Sequence, residues 1–304
     1  MKGILLEGLY ILAGLVSLMT AYMAFSDDEH PTKLGTTLFW GLLSAIFIIG
    51  KYIPSSVVGL VLLVMGLLTA FKQVRFGSLK NSTEEFRLKN SRAIGNKIFI
   101  PAFSIAIFAF GIAQFTDLGG LVGLGIGAIV ATILALVTTK AKGKFIPYDG
   151  SRLLQQVGSA SILPQLLAAL GALFNAAGVG QVISQGISGV IPQGNILAGV
   201  IAYCLGMAIF TIIMGNAFAA FAVITAGIGL PFVFSQGANP AVAGIIALTA
   251  GYCGTLLTPM AANFNIVPAA ILETKNKNRV IISQAPLAIA LFLVHIVLMY
   301  FLAF

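Results

Sequence analysis

Two polar interruptions in otherwise apolar sequence hold the residue types that could do chemistry. The first is Gly215-Asn216-Ala217-Phe218-Ala219-Ala220-Phe221, and the second is Gly254-Thr255-Leu256-Leu257-Thr258-Pro259-Met260-Ala261-Ala262-Asn263-Phe264-Asn265. Each sets a helix stop beside a helix start. Gly254 can close a helix as the left-handed residue past its last turn, and Thr258 can N-cap the next with Pro259 at its first position. Gly215 followed by Asn216 offers the same end and restart. The chemistry open to these groups is binding. A helix N-terminus presents free N–H groups and about half a positive charge, which suits a small carboxylate. Unwound carbonyls and half-helix C-termini suit Na⁺.

From Leu153 to Leu272 the chain has no Asp, Glu, Lys, Arg or His. A proton relay across a membrane needs ionisable side chains facing a cavity, so sodium coupling fits this stretch better than proton coupling. The residues expected to contact substrate are Gly215, Asn216, Ala217, Thr225, Thr255, Thr258, Asn263 and Asn265. Gly215, Gly254 and Pro259 are expected to shape the breaks, and Asn216 and Asn263 are the candidate sodium ligands. Plainer readings compete. The first break could be a lipid-side turn between two ordinary spans, and the second a kinked span whose asparagines face neighbouring helices. No cofactor is expected. HExxH, GxSxG and P-loop patterns are absent from the sequence, as is any carboxylate pair within the apolar stretches, which argues against an enzyme.

The elements that must position these groups are membrane spans. The 304 residues are 59% hydrophobic and 9% charged, where a soluble domain carries about 25% charged residues. Apolar runs near 20 residues favour transmembrane helices over a β-barrel. Ten spans fit: 4–25, 36–50, 54–71, 98–115, 118–139, 162–177, 197–214, the two interrupted segments, and 281–301. The interrupted pieces are short. Ala217 to Leu230 and Ala241 to Cys253 each cover roughly 20 Å against about 30 Å of hydrocarbon. Paired short, Gly/Pro-interrupted segments are the sequence pointer to a transporter's binding site. Met1-Lys2-Gly3 and the apolar run after it lack a small-residue cleavage site and read as a retained first span.

The net charge of +8 is concentrated in loops, which points to orientation in the membrane and away from nucleic acid. Lys72–Lys97 holds seven Lys/Arg, and Lys140–Arg152 holds four. The parity of the spans puts both, and the Glu273–Arg279 turn, on one side, which the positive-inside rule makes cytoplasmic. An N-terminal region 1–152 of five spans and a C-terminal region 153–304 with broken helices are expected. The Gly/Gln/Ser-rich patch 178–195 could dip in and return as a re-entrant hairpin. Gly123 and Gly127 form a small-xxx-small helix-packing face, and Cys204 and Cys253 read as small core residues.

At 215–229 and 250–270 the chain resembles the bacterial membrane proteins grouped as domain of unknown function 979, described as a subunit of a 5-oxoproline (pyroglutamate) transporter. Members are usually paired with a second membrane subunit, and together look like one ion-transporter superfamily member split into two chains. The resemblance implies a multi-pass plasma-membrane protein that takes up a small organic anion by alternating access, alongside a second membrane subunit. A scaffold subunit that never contacts substrate is the alternative.

Overall fold

The computed structural model describes residues 1–188 and 194–304, and among these it is helical throughout, with no strand. Among the described residues, eight helical segments are long and apolar enough to cross a membrane. Two shorter apolar helices, Ser55–Ala70 and Pro240–Thr255, occupy the remaining expected spans. The chain divides into two compact units, Met1–Gly158 and Ser159–Phe304.

The first unit contains α1 (Lys2–Ser26), α2 (Lys33–Ile49), α3 (Ser55–Ala70), α4 (Glu84–Ile94), α5 (Phe99–Phe115), α6 (Gly120–Thr139) and α7 (Ile146–Val157). Small residues set its helix pairs. A Cβ on Gly123 would stand 2.8 Å from the Phe108 carbonyl oxygen, and one on Gly127 3.0 Å from the Ile105 Cα, so this face seats α6 directly on α5. Across the α1–α2 pair, the Ser44 hydroxyl donates to the Gly14 carbonyl at 2.7 Å. Lys140–Arg152, expected to be loop, instead enters α7 at Ile146. Here Pro147 lies in the first turn, and α7 packs on α1 through the buried Ser151. This packing carries the first unit past Arg152 to Gly158.

The polar segments of this unit meet at one end. The Ser78 amide and hydroxyl donate to Asp27 at 2.7 and 2.8 Å, the Gly77 amide donates to Gln155 at 3.1 Å, and the Lys80 amide donates to the Tyr148 hydroxyl at 2.9 Å. Lys51 pairs with Glu7 at 3.2 Å at the opposite end of α1. That is the arrangement that the parity of the spans requires. Burial opposes ionisation of Asp27, but the hydrogen bonds from Ser78 and Glu29, with His30 nearby, hold its carboxyl below the ordinary value. Burial pushes the His30 imidazole down despite the adjacent Asp27.

The second unit contains α8 (Leu163–Ala176), α9 (Val179–Ser188), α10 (Ile196–Met214), α11 (Ala217–Ile224), α12 (Leu230–Phe232), α13 (Pro240–Thr255), α14 (Ala262–Ile271) and α15 (Arg279–Leu302). A single π-helical turn, Thr225–Gly229, joins α11 to α12. Asn195 caps α10 through the Ala198 amide, and Asn239 caps α13 ahead of Pro240. α10 is the axis of this unit. It buries Val200, Tyr203, Cys204 and Met207 and packs against α11, α13 and α15. Of the 178–195 patch, Val179–Ser188 is helical, while 189–193, and with them the proposed return of the hairpin, lie outside the described residues.

Candidate functional site: two helix breaks in contact

The first break forms as its residues dictate. Gly215 closes α10 in the left-handed region at φ +68°, its amide donating to the Thr211 carbonyl. A β-carbon there would be strained by that backbone and would also stand 2.5 Å from the Met260 carbonyl carbon. Asn216 then caps α11, its Oδ1 accepting from the Phe218 and Ala219 amides at 2.9 and 3.2 Å. Both lone pairs of that oxygen are thereby engaged, so sodium ligation by Asn216 would have to displace the cap. Ala217, the first residue of α11, is buried at 1% exposure.

The second break differs from the expectation in three respects. Gly254 does not end α13. The helix runs on through Thr255, and Gly254 instead lets the Ala208 backbone approach so closely that any Cβ would overlap the Ala208 carbonyl oxygen. Thr258 and Pro259 do not start α14, which begins at Ala262 with no side-chain cap. Thr258 is buried in the link, where its hydroxyl donates to the Ile212 carbonyl at 2.8 Å and accepts from the Met260 amide at 3.2 Å. It ties the link to α10. Pro259 lies in the turn that follows.

The α13 end is closed by a side chain from beyond the break. Asn265, fully buried, donates both amide hydrogens, to the Thr255 carbonyl at 2.8 Å and the Thr258 carbonyl at 2.7 Å. Its oxygen accepts from Gln284 of α15, which also donates to the Leu256 carbonyl at 3.1 Å. The Thr255 and Leu256 carbonyls, which helix termination leaves without amide donors, are satisfied in this way, and the Thr258 carbonyl gains a second donor beside the Ala261 amide. Gln284 was missed from sequence. Its one signal is a carboxamide early in an otherwise apolar closing span. The Thr255 hydroxyl bonds back to Tyr252, and Thr225 lies in the π turn against the Tyr203 hydroxyl at 2.7 Å. Asn263 is exposed in the first turn of α14.

The structure therefore brings Gly215, Thr258 and the Met260 backbone together at one junction and keeps Thr225 with the π turn. Beside that turn is a cavity of about 490 Å³ lined by Gln181, Ser184, Gln185, Ala226, Leu230 and Pro231. A π turn interrupts regular helix pairing and is frequent at functional sites. Apolar helices of spanning length and two helix breaks in contact define an all-α, multi-pass membrane protein with discontinuous helices. Residues 7–304 match the family described as "Protein of unknown function (DUF979)", and the chain belongs to that family. No curated protein and no solved structure matches it.

Proposed function

We propose that this chain is a subunit of a secondary transporter that carries a small organic anion, 5-oxoproline by the family resemblance, across a bacterial plasma membrane by alternating access. The observation that supports the reading is the contact between the two breaks, Gly215 against Met260 and Thr258 against Ile212. It brings together the C-terminus of α10 and the link between α13 and α14. In this reading, the exposed Asn263 at the start of α14 receives the carboxylate, while Asn or Thr side chains take the lactam. Backbone carbonyls near the ends of α10 and α13 take Na⁺. Ligand recognition there is by neutral groups, since 153–272 holds no ionisable Asp, Glu, Lys, Arg or His. A second membrane subunit completes the transporter, and the chain catalyses no covalent step.

The test is uptake of labelled 5-oxoproline into vesicles, with and without a sodium gradient, for this chain alone and with candidate partners. Asn263→Ala is expected to abolish sodium-driven uptake while inserting normally. Uptake at the wild-type rate would remove the principal ligand from this reading. The scaffold alternative draws on one observation: Asn216 and Asn265 are both engaged in closing helix ends. A photoreactive substrate analogue that labels the partner and never this chain would favour it.

A further inference from the structure

We infer that the first unit carries a binding site for an anionic phospholipid at the end of α6, independent of the transport reading. A cavity of about 970 Å³ opens there between α4, the C-terminus of α6 and the start of α7. Four lysines line it, Lys80, Lys140, Lys142 and Lys144, against a single aspartate, Asp149. Asp149 is itself near Arg152, with Nε to Oδ1 at 3.6 Å. The N-terminal turn of α4, capped by Thr83, contributes Thr83 and Phe86 to the wall. Glu84 and Glu85 in that turn offset its positive dipole end, so the positive field of the cavity is that of the lysines.

The remaining lining is what a phosphate in water would not need. Phe86, Ile94 and Phe145 supply apolar wall, and the first two are two turns apart on α4. Phe86 and Phe145 are 59% and 50% exposed. The depth of the site follows from α6, a 20-residue apolar span whose last residue, Thr139, lies on the rim. The cavity is therefore level with the headgroups, its lysines against phosphate and its aromatic side toward acyl chain. Basic pockets beside transmembrane helices on the cytoplasmic side recognise anionic headgroups in this manner. The amide and carbonyl of Lys80 are both held by the Tyr148 hydroxyl, at 2.9 and 3.2 Å, which fixes this wall to α7.

The position of these lysines near a membrane surface also allows a general attraction to anionic lipid, and the experiment separates the two. The full chain is reconstituted in nanodiscs of phosphatidylcholine with a minor fraction of phosphatidylglycerol, and retained lipid is counted by native mass spectrometry. Wild type is expected to retain phosphatidylglycerol preferentially. The triple variant Lys140→Gln, Lys142→Gln, Lys144→Gln should lose about 100-fold in apparent affinity, at roughly fivefold per lysine. The charge-matched control Arg87→Gln, Lys89→Gln, Arg92→Gln removes three cations from α4 that do not line the cavity, and should retain lipid as wild type does. Equal losses in the two triple variants would overturn the site in favour of surface attraction. Displacement of the lipid by soluble glycerol 3-phosphate at comparable concentration would overturn the lipid in favour of a soluble anion. Should the lysine variant misfold, Phe145→Ala gives a second reading, with a weakened lipid signal expected and an unchanged one counting against the site.

Discussion

The two breaks of the second unit are closed by different means. At the first, stop and start are neighbours in sequence. Gly215 takes the left-handed turn, and Asn216 caps the helix that follows within three residues. At the second, the unpaired carbonyls of Thr255 and Leu256 wait for Asn265, ten residues beyond Thr255, and for Gln284 on another helix, and Asn265 also takes the Thr258 carbonyl. A locally closed break can form as soon as its own residues are made. One closed from a distance exists only once α14 and α15 have docked, so it belongs to tertiary structure. The first break is a property of its segment, and the second a property of the unit.

The largest effect that tests this contrast is Asn265→Ala. It strands the buried Thr255 carbonyl and takes one partner each from Thr258 and Gln284, and should destabilise the unit by about 3 kcal/mol, measured by denaturant unfolding in detergent. Asn263→Ala should stay within about 0.5 kcal/mol of wild type, as for other exposed positions. If the two asparagine variants unfold alike, the proposed closure from a distance is wrong. Next comes Gly215→Ala, where a left-handed backbone and the close Met260 backbone together predict a loss of about 2 kcal/mol. Asn216→Ala should cost about 1 kcal/mol, and Asn216→Ser should restore most of it by capping the same amides. A loss from Asn216→Ala as large as that from Asn265→Ala would erase the distinction between the breaks.

The smallest effect sharpens the comparison with the first unit, where Asp27 and Gln155 hold the 77–78 backbone from a distance. Asp27 and His30 both have lowered folded pKa values, so the unfolded chain binds more protons as pH falls. The stabilisation they supply is complete above the ordinary imidazole value of about 6.5. It declines as acid first titrates His30 and then Asp27. Thermal midpoints should therefore drop modestly from pH 8 to pH 5 as His30 titrates, and Asp27→Asn, which removes the carboxylate that raises the His30 value, should steepen that drop while removing the further decline below about pH 4.

The same distinction decides what the sequence disclosed. The helical, multi-pass fold was legible in runs of apolar residues, and so were Gly215 and Asn216, because glycine and asparagine act on their own neighbours. The seating of α6 on α5 was legible in the spacing of Gly123 and Gly127. The second break was located but not resolved. Gly254 has the residue type of a helix stop, yet close packing against Ala208 decides its role. Thr258 has the residue type of an N-cap, yet its hydroxyl goes to Ile212 on another helix. Asn265 and Gln284 meet only through folding, and no local pattern joins positions 19 apart on different helices. The cavity beside α9 also escaped, because the π turn that shapes it has no strong residue signature.

The stretch from Leu153 to Leu272, free of ionisable Asp, Glu, Lys, Arg and His, has an electrical consequence. A membrane potential works on charge, at about 2.3 kcal/mol per elementary charge per 100 mV, and this stretch offers it no charged side chain to move. Under the transport reading, any current carried through this region counts cargo alone. One sodium with one monocarboxylate would pass silently, and each further sodium would add one charge per cycle to the recording.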